Sequence, residues 1–400
     1  MLSSGRRFRE LHFSQYKRFS GDEIMEIRPV TILVGKNSSG KSSITKLVPV
    51  LAKSMSGELK KSIMLLDSDG VSLGVSYQSL CHNGNSVGLR LGAKYDNGIA
   101  IDVDLISNPK DEIQIQKYCV NNNGICRELV LGADRTNYID KKSGKEYMQS
   151  GFSGFVHKDF LMDVDADMDF SVNIDYIGPL RCEPDRTHYY TGAELSDNVG
   201  AKGYNAYQLL CADDSLAEKV SVWFERNFNK CRLKVVPAGE KGSYLIQMNK
   251  PDNYSYWVNI ADEGMGMSQI LPIVVRCIHP VRNSLVVVEQ PELHLHPAAH
   301  ESIARLFALT SKKNNHYYIV ETHSENILLG IRDAVVDKEI DFSADDVVIY
   351  FVNEDEGGAY LEKITINEDG MLSSWPEGVF NESYELLNGI IEKASNKGQI

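Results

Sequence analysis

Gly35-Lys36-Asn37-Ser38-Ser39-Gly40-Lys41-Ser42 decides how this chain folds, because it meets every fixed position of the phosphate-loop pattern G-x-x-x-x-G-K-[ST]. The residues before it, Val30-Thr31-Ile32-Leu33-Val34, are apolar and β-branched and predict a buried strand. After it, Ser43-Ile44-Thr45-Lys46-Leu47-Val48 opens a helix predicted over 43–56. In that setting successive backbone N–H groups and the positive end of the helix cradle the β- and γ-phosphates of a nucleotide. Lys41 adds a point charge, and the Ser42 hydroxyl offers a ligand to Mg²⁺. The predicted nucleotide-binding residues are Gly35 to Ser43 without a gap.

Composition narrows the classes. The 400 residues are 42% hydrophobic and 24% charged, an ordinary balance for a soluble globular protein. No apolar run reaches the roughly 18 residues of a membrane helix, and Met1 to Phe8 lack the apolar core of a signal peptide. Seven cysteines without C-x-x-C spacing suit reduced thiols, so the expected location is the cytoplasm. A net charge of −13 argues against duplex DNA as the main partner, since a DNA binder works by neutralising phosphates. Arg6, Arg7, Arg9, Lys17 and Arg18 still make the first eighteen residues basic. They read as a solvated strand edge ahead of a nucleic-acid contact.

The pattern of the chain divides into 1–70 with the phosphate loop, 71–175 rich in strands, and 176–400. Residues 8–34 predict two strands with a turn at Ser20-Gly21-Asp22-Glu23, then the strand entering the loop. From 71 to 175, alternating segments such as Ile99-Ala100-Ile101-Asp102-Val103-Asp104-Leu105 predict an antiparallel meander, punctuated by Asp96-Asn97-Gly98 and Asn121-Asn122-Asn123-Gly124. Helices are predicted over 204–230, 268–280, 297–311 and 380–395, a hairpin around Ala238-Gly239-Glu240-Lys241-Gly242, and strands at 284–289, 317–321 and 347–352. The fold class is α/β, a phosphate-loop core sheet with flanking helices plus an antiparallel β subdomain.

A phosphate loop needs partners, and three segments supply candidates. Ser284-Leu285-Val286-Val287-Val288-Glu289-Gln290-Pro291-Glu292 is a buried strand ending in an acid, as a Mg²⁺-organising position requires. Tyr318-Ile319-Val320-Glu321-Thr322-His323-Ser324 is a strand whose tip carries a histidine able to donate to a γ-phosphate. Asp262-Glu263-Gly264-Met265-Gly266-Met267-Ser268-Gln269 is a glycine-rich turn opening an apolar helix, whose N–H groups can meet phosphate from another direction.

In this order the segments resemble the ATP-binding-cassette ATPases, and more closely the overcoming-lysogenization-defect and RecF/Rad50-like subgroup. The run Glu289-Gln290-Pro291-Glu292-Leu293-His294-Leu295-His296-Pro297 resembles the subgroup's Walker B and D-loop region. Ile177-Gly178-Pro179-Leu180-Arg181 and Ser374-Trp375-Pro376-Glu377-Gly378 are similar to segments of short bacterial members, many of which stand beside a toxin or nuclease in anti-phage operons such as PARIS and Septu. The resemblance implies ATP and Mg²⁺ as ligands, Ser42 and Glu289 at the metal, and His323 as the switch histidine. It also implies Gly264, Gly266, Ser268 and Gln269 as a signature turn completing the site of a second protomer, in a homodimer or higher homo-oligomer around ATP. Gln78 is the candidate for the Q-loop.

The chain departs from that pattern at Walker B, where most members carry Asp-Glu and this chain carries Glu289-Gln290. An amide positions water but cannot take its proton at neutral pH. Losing a general base costs about 10²–10⁴ in rate, so slow hydrolysis is expected, with Glu292 as the replacement base. His294, His296 and His300 read as D-loop residues rather than a metal site, and Glu354-Asp355-Glu356 lacks the companions of a nuclease cluster. The leading expectation is an ATP-dependent switch acting on a separate effector protein; the alternative is a DNA-repair ATPase that clamps DNA. A membrane-transporter motor fits least, because the β-rich insertion is unlike a transporter cassette's.

Overall fold

The structure is a computed structural model that describes residues 6–375, apart from 60–66, 69, 86–87, 109–111, 167–168, 191, 193–194, 229, 251–252 and 282. The helix expected over 380–395 lies outside the described residues.

Fourteen strands form one sheet: β1 (Phe8–Tyr16), β2 (Phe19–Glu26), β3 (Val30–Gly35), β4 (Leu89–Tyr95), β5 (Ile99–Ser107), β6 (Ile113–Asn122), β7 (Ile125–Leu131), β8 (Asn137–Asp140), β9 (Glu146–Met148), β10 (Ile174–Ile177), β11 (Leu285–Glu289), β12 (Tyr317–Glu321), β13 (Val347–Asp355) and β14 (Gly358–Ile364). Their order is β9-β8-β7-β6-β5-β4-β1-β2-β14-β13-β3-β12-β11-β10. From β13 to β10 the strands are parallel, and from β9 to β2 they are antiparallel. The two halves meet at one pairing, Phe19 of β2 with Ala359 of β14. The meander therefore extends the edge of the same sheet, with β4 paired to β1. Its turns fall at Tyr95–Ile99 and at Asn122–Ile125, where Asn123 and Gly124 take the positive φ of a two-residue hairpin.

The helices are α1 (Lys41–Met55), α2 (Lys158–Asp163), α3 (Asn205–Ala212), α4 (Asp214–Asn227), α5 (Met265–Ile278), α6 (His300–Lys313) and α7 (Glu325–Val336). A smaller antiparallel sheet is built from 188–189, Leu233–Pro237, Ser243–Lys250 and Asn253–Asn259. Strands buried on both faces read as continuous apolar runs, and β3, β11 and β12 do so. Successive residues alternate between two cores. Leu285 and Val287 of β11 join the core under α1, with Leu47, Val48 and Leu51. Val286 and Val288 join the core under α5 and α6, with Ile270, Val274 and Phe307. This sandwiching fixes the strand ends relative to the start of α1.

One turn differs from the sequence expectation. Ser20, Gly21, Asp22 and Glu23 lie inside β2, and the hairpin reverses at Lys17 and Arg18. Tertiary bonds override turn composition there: Lys17 takes φ +54°, its N–H donates to Leu80 O at 2.7 Å, and its ammonium donates to the carbonyls of Leu73 and Ser79.

The edge strand β10 is tied to α5 by a buried ion pair. Arg276 Nε lies 2.9 Å from Asp175 Oδ2, with both side chains within 1% of complete burial. Asp175 also accepts from Val199 N at 2.7 Å and Gly200 N at 3.1 Å. Removing one partner of such a pair leaves a bare charge in the core. Asp175→Ala is expected to lower unfolding free energy by about 3–5 kcal/mol, measured by urea denaturation; a loss below about 1 kcal/mol would show the pair to be dispensable.

Candidate nucleotide site

The loop between β3 and α1 can only be followed by glycine at its two fixed ends. Gly35 has φ +149°, and a Cβ there would stand 2.7 Å from Val352 O. Gly40 has φ +117° and caps α1, and a Cβ there would meet the Phe19 ring at 3.0 Å. No side chain caps the N-terminus of α1 and no acid lies in its first turn, so its unpaired N–H groups and positive dipole end face the loop. Lys36, Asn37 and Ser38 are exposed, while Ser39 is buried and its Oγ has no partner among the described residues. Tyr16 OH donates to Ser43 O at 3.0 Å, anchoring the exit of the loop.

Lys41 is buried and donates to Gly35 O at 2.9 Å and Lys36 O at 2.6 Å. Burial lowers its pKa, with Glu321 and Glu292 pulling it back up. Ser42 Oγ donates to Glu321 Oε1 at 2.9 Å, and Thr45 Oγ1 donates to Glu289 Oε1 at 2.5 Å. Both acids end adjacent parallel strands at the same register and are almost fully buried. Burial first, and the Glu289 charge second, push Glu321 up to about 7, against the pull of Ser42 and Lys41.

The loop after β11 adds the other groups. Gln290 has φ +45° and its N–H donates to Glu321 O at 2.8 Å. His323 N donates to Glu292 Oε1 at 2.7 Å, which fixes that carboxylate beside the tip of β12. Partial burial of the His323 ring, and then Lys41, lower its pKa below the ordinary value, so the neutral form dominates at pH 7. Arg181 is buried, and its Nη2 donates to Glu289 O at 2.5 Å and Gln290 O at 3.2 Å. Burial brings its pKa down to about 10, and Glu292 and Glu289 hold it charged at neutral pH.

The structure thus gathers Lys41, Ser42, Glu289, Gln290, Glu292 and His323. It adds Thr45, Arg181 and Glu321, which the motif reading left without roles. Glu321 ends a buried strand, but its place beside the strand that ends in Glu289 comes from strand order, which no local pattern gives. The expected metal pair is divided: Ser42 bonds Glu321, and Glu289 bonds Thr45. Of the signature turn, Gly264 and Met265 are exposed, whereas Ser268 and Gln269 are buried. Ser268 Oγ donates to Met265 O at 2.9 Å, and Gln269 bonds the backbone of Arg181. Gln78 is exposed in the turn over 76–79, with no side-chain hydrogen bond to the loop or the acids among the described residues.

The donor set fits a magnesium triphosphate. Three carboxylates face two cations, and Glu321 Oε2 and Glu292 Oε2 are buried without partners among the described residues. A divalent cation satisfies those oxygens, and phosphate oxygens satisfy the open N–H groups and Lys41.

Residues 223–329, which carry the signature turn, Glu289 and His323, match the family model described as "AAA domain, putative AbiEii toxin, Type IV TA system". Residues 342–389 match a family described as a protein of unknown function, DUF3696. No curated protein matches the chain. Among solved structures, the Smc head domain with an extended coiled coil from Pyrococcus furiosus, bound to the C-terminal domain of ScpA, is similar at 11% identity and TM-score 0.50, over 96% of this chain and 99% of that one. The SMC head domain from Thermotoga maritima is similar at 14% identity and TM-score 0.41, over 89% and 98%. The SmcHead bound to the C-winged helix domain of ScpA matches at 13% identity and TM-score 0.47, over 91% and 99%. The chain shares with the Pyrococcus furiosus head a mixed α/β fold, a large sheet with flanking helices.

Proposed function

We propose that this chain is a Mg²⁺-dependent ATPase that closes as a homodimer around ATP and works as a slow switch on a separate effector protein, such as a toxin or nuclease of an anti-phage system. The observation that carries the reading is the convergence of Lys41 and Ser42, at the uncapped start of α1, on the strand-end acids Glu321 and Glu289. Gly264 and Gly266 belong to the turn that would face the second protomer's nucleotide, whereas Ser268 and Gln269, expected beside them, are buried and bonded within their own chain. A protein partner is favoured over DNA because the basic N-terminal residues are occupied within the chain. Arg7 lies over the Tyr317 ring and pairs with Asp96, Lys17 caps two carbonyls, and Arg18 pairs with Glu354. The net charge of −13 also argues against a phosphate backbone as the main contact.

Mg²⁺ held by Ser42 and the strand-end carboxylates would draw charge from the phosphates and favour attack at the γ-phosphorus. Lys41 leaves the loop carbonyls to contact the phosphates. Gln290 orients water without accepting its proton. Glu292 takes that proton: its Oε1 is fixed by His323 N–H, and its Oε2 has no partner among the described residues. Neutral His323 donates to the γ-phosphate. Water oxygen bonds to phosphorus as the bond to the ADP oxygen breaks, giving ADP and phosphate.

Phosphate release from Mg-ATP tests these roles. Lys41→Ala is expected to abolish turnover and the thermal shift produced by ATP. Glu292→Gln is expected to lower turnover about 10²–10³-fold with the ATP dissociation constant within threefold. Gln290→Glu is expected to raise turnover tenfold or more. Turnover of Glu292→Gln equal to wild type removes Glu292 as base.

Glu321 also gives a pH signature. Its folded pKa is raised above the unfolded value, so ionisation penalises the fold as pH rises through 4.5 to about 7, and the penalty is complete above that. Glu321→Gln keeps an acceptor for Ser42 and removes the penalty. It is expected to stabilise the nucleotide-free protein by about 3 kcal/mol at pH 8 and far less at pH 4.5, while weakening Mg-ATP binding. Equal stability of the two proteins at both pH values counts against a raised pKa.

A further inference from the structure

Two contacts lock the first turn of α5 to the loop that follows β11. The first is at Gly266, where a Cβ would stand 2.8 Å from His294 O, and His294 itself takes φ +64°. Any larger residue at 266 pushes the two segments apart. The second runs through Arg181. The Gln269 side chain accepts from Arg181 N and donates to Arg181 O, both at 3.2 Å. The Arg181 guanidinium then donates to the carbonyls of Glu289 and Gln290. The whole relay is buried, with Arg181 5% and Gln269 4% exposed.

What the relay holds is a strained turn. Gln290 sits at φ +45°, a conformation that a non-glycine residue keeps only when its surroundings impose it. Its N–H is held by Glu321 O from one side and its carbonyl by Arg181 from the other. Arg181 Nε and Nη1 are buried without partners among the described residues, and Glu292 and Glu289 are the charges acting on that guanidinium. The outer end of the relay is different. Gly264 and Met265 are exposed at the N-terminus of α5, so a group arriving there meets the same helix turn that grips Arg181.

We propose that Arg181 is a positioning residue that couples the first turn of α5 to the Glu289–Glu292 loop, so that a second copy of this chain seated on the Gly264–Met267 turn regulates hydrolysis at the first copy's own nucleotide. The inference rests on the nucleotide reading above and deepens it: the turn serves its own protomer through Arg181 as well as the partner's phosphates. A lysine at 181 keeps the charge but offers no planar fork for two adjacent carbonyls. A methionine keeps most of the length and removes the donors.

The test compares wild type, Arg181→Met, Arg181→Lys and Gln269→Leu. Affinity for a fluorescent ATP analogue and hydrolysis of labelled ATP are measured over a hundredfold range of protein concentration. Wild-type turnover per chain is expected to rise with protein concentration. Arg181→Met is expected to bind nucleotide within threefold of wild type, to hydrolyse it at least tenfold more slowly, and to lose the concentration dependence. Arg181→Lys is expected to recover only part of the rate. Gln269→Leu, which cuts the relay at its α5 end, is expected to lose the concentration dependence too, and it decides the matter if Arg181→Met does not fold. Concentration-dependent turnover in both Arg181→Met and Gln269→Leu overturns the coupling. So does a rate that falls only in proportion to nucleotide binding, or a wild-type rate that ignores protein concentration while ATP still binds. Failure of wild type to bind ATP instead overturns the nucleotide reading itself.

Discussion

Two carboxylates placed side by side at the ends of neighbouring parallel strands set the terms for the rest of this molecule. Glu289 and Glu321 share a register and are both buried; burial first, and the Glu289 charge second, lift Glu321 to about 7. Such a pair is stable only if donors and cations are delivered to it. The chain delivers Lys41, Ser42 and Thr45 from the first turn and a half of α1, and Arg181 from the segment after β10. A site with this imbalance of acids is poised for a divalent cation, and the loop opposite is shaped for phosphate.

The fold exists to keep those parts in place. Alternation along β3, β11 and β12 puts one residue in the core beneath α1 and the next in the core beneath α5 and α6. The strand ends are therefore clamped from both faces, and the groups at their tips inherit that rigidity. The antiparallel meander is joined on through β1 and β2, and Phe19, at the single pairing between the halves, also packs against Gly40 of the phosphate loop. The buried Arg276–Asp175 pair fastens the far edge strand to α5. The seam between the halves and the β10 edge of the sheet are thus tied to elements that touch the candidate nucleotide site.

Much of this was legible in the chain because the requirements are local. The phosphate loop needs glycine where φ is positive, and Gly35 and Gly40 stand there. The hairpin at Asn123-Gly124 follows from the same requirement. Glu289 and His323 announced themselves as polar tips of apolar strands. Glu321 did not, because its role depends on which strand lies next to β11, and strand order is set by distant parts of the chain. Arg181 stood in a familiar run but without a task, since its partners are backbone carbonyls that leave no pattern in a sequence. The misplaced first turn has the same origin: Ser20-Gly21-Asp22-Glu23 has the better turn composition, yet the Lys17 bonds to Leu73, Ser79 and Leu80 decide where the chain reverses.

On the proposed reading, a magnesium nucleotide would complete the acid-rich site built around Glu289 and Glu321. Calorimetric titration of the wild-type chain with ATP at pH 7, with and without Mg²⁺, in two buffers of different ionisation enthalpy, tests it directly. One nucleotide per chain, tighter binding with Mg²⁺, and net proton release as the cation displaces the proton from Glu321 are expected. Absence of binding, or binding indifferent to Mg²⁺ and without proton release, would contradict it.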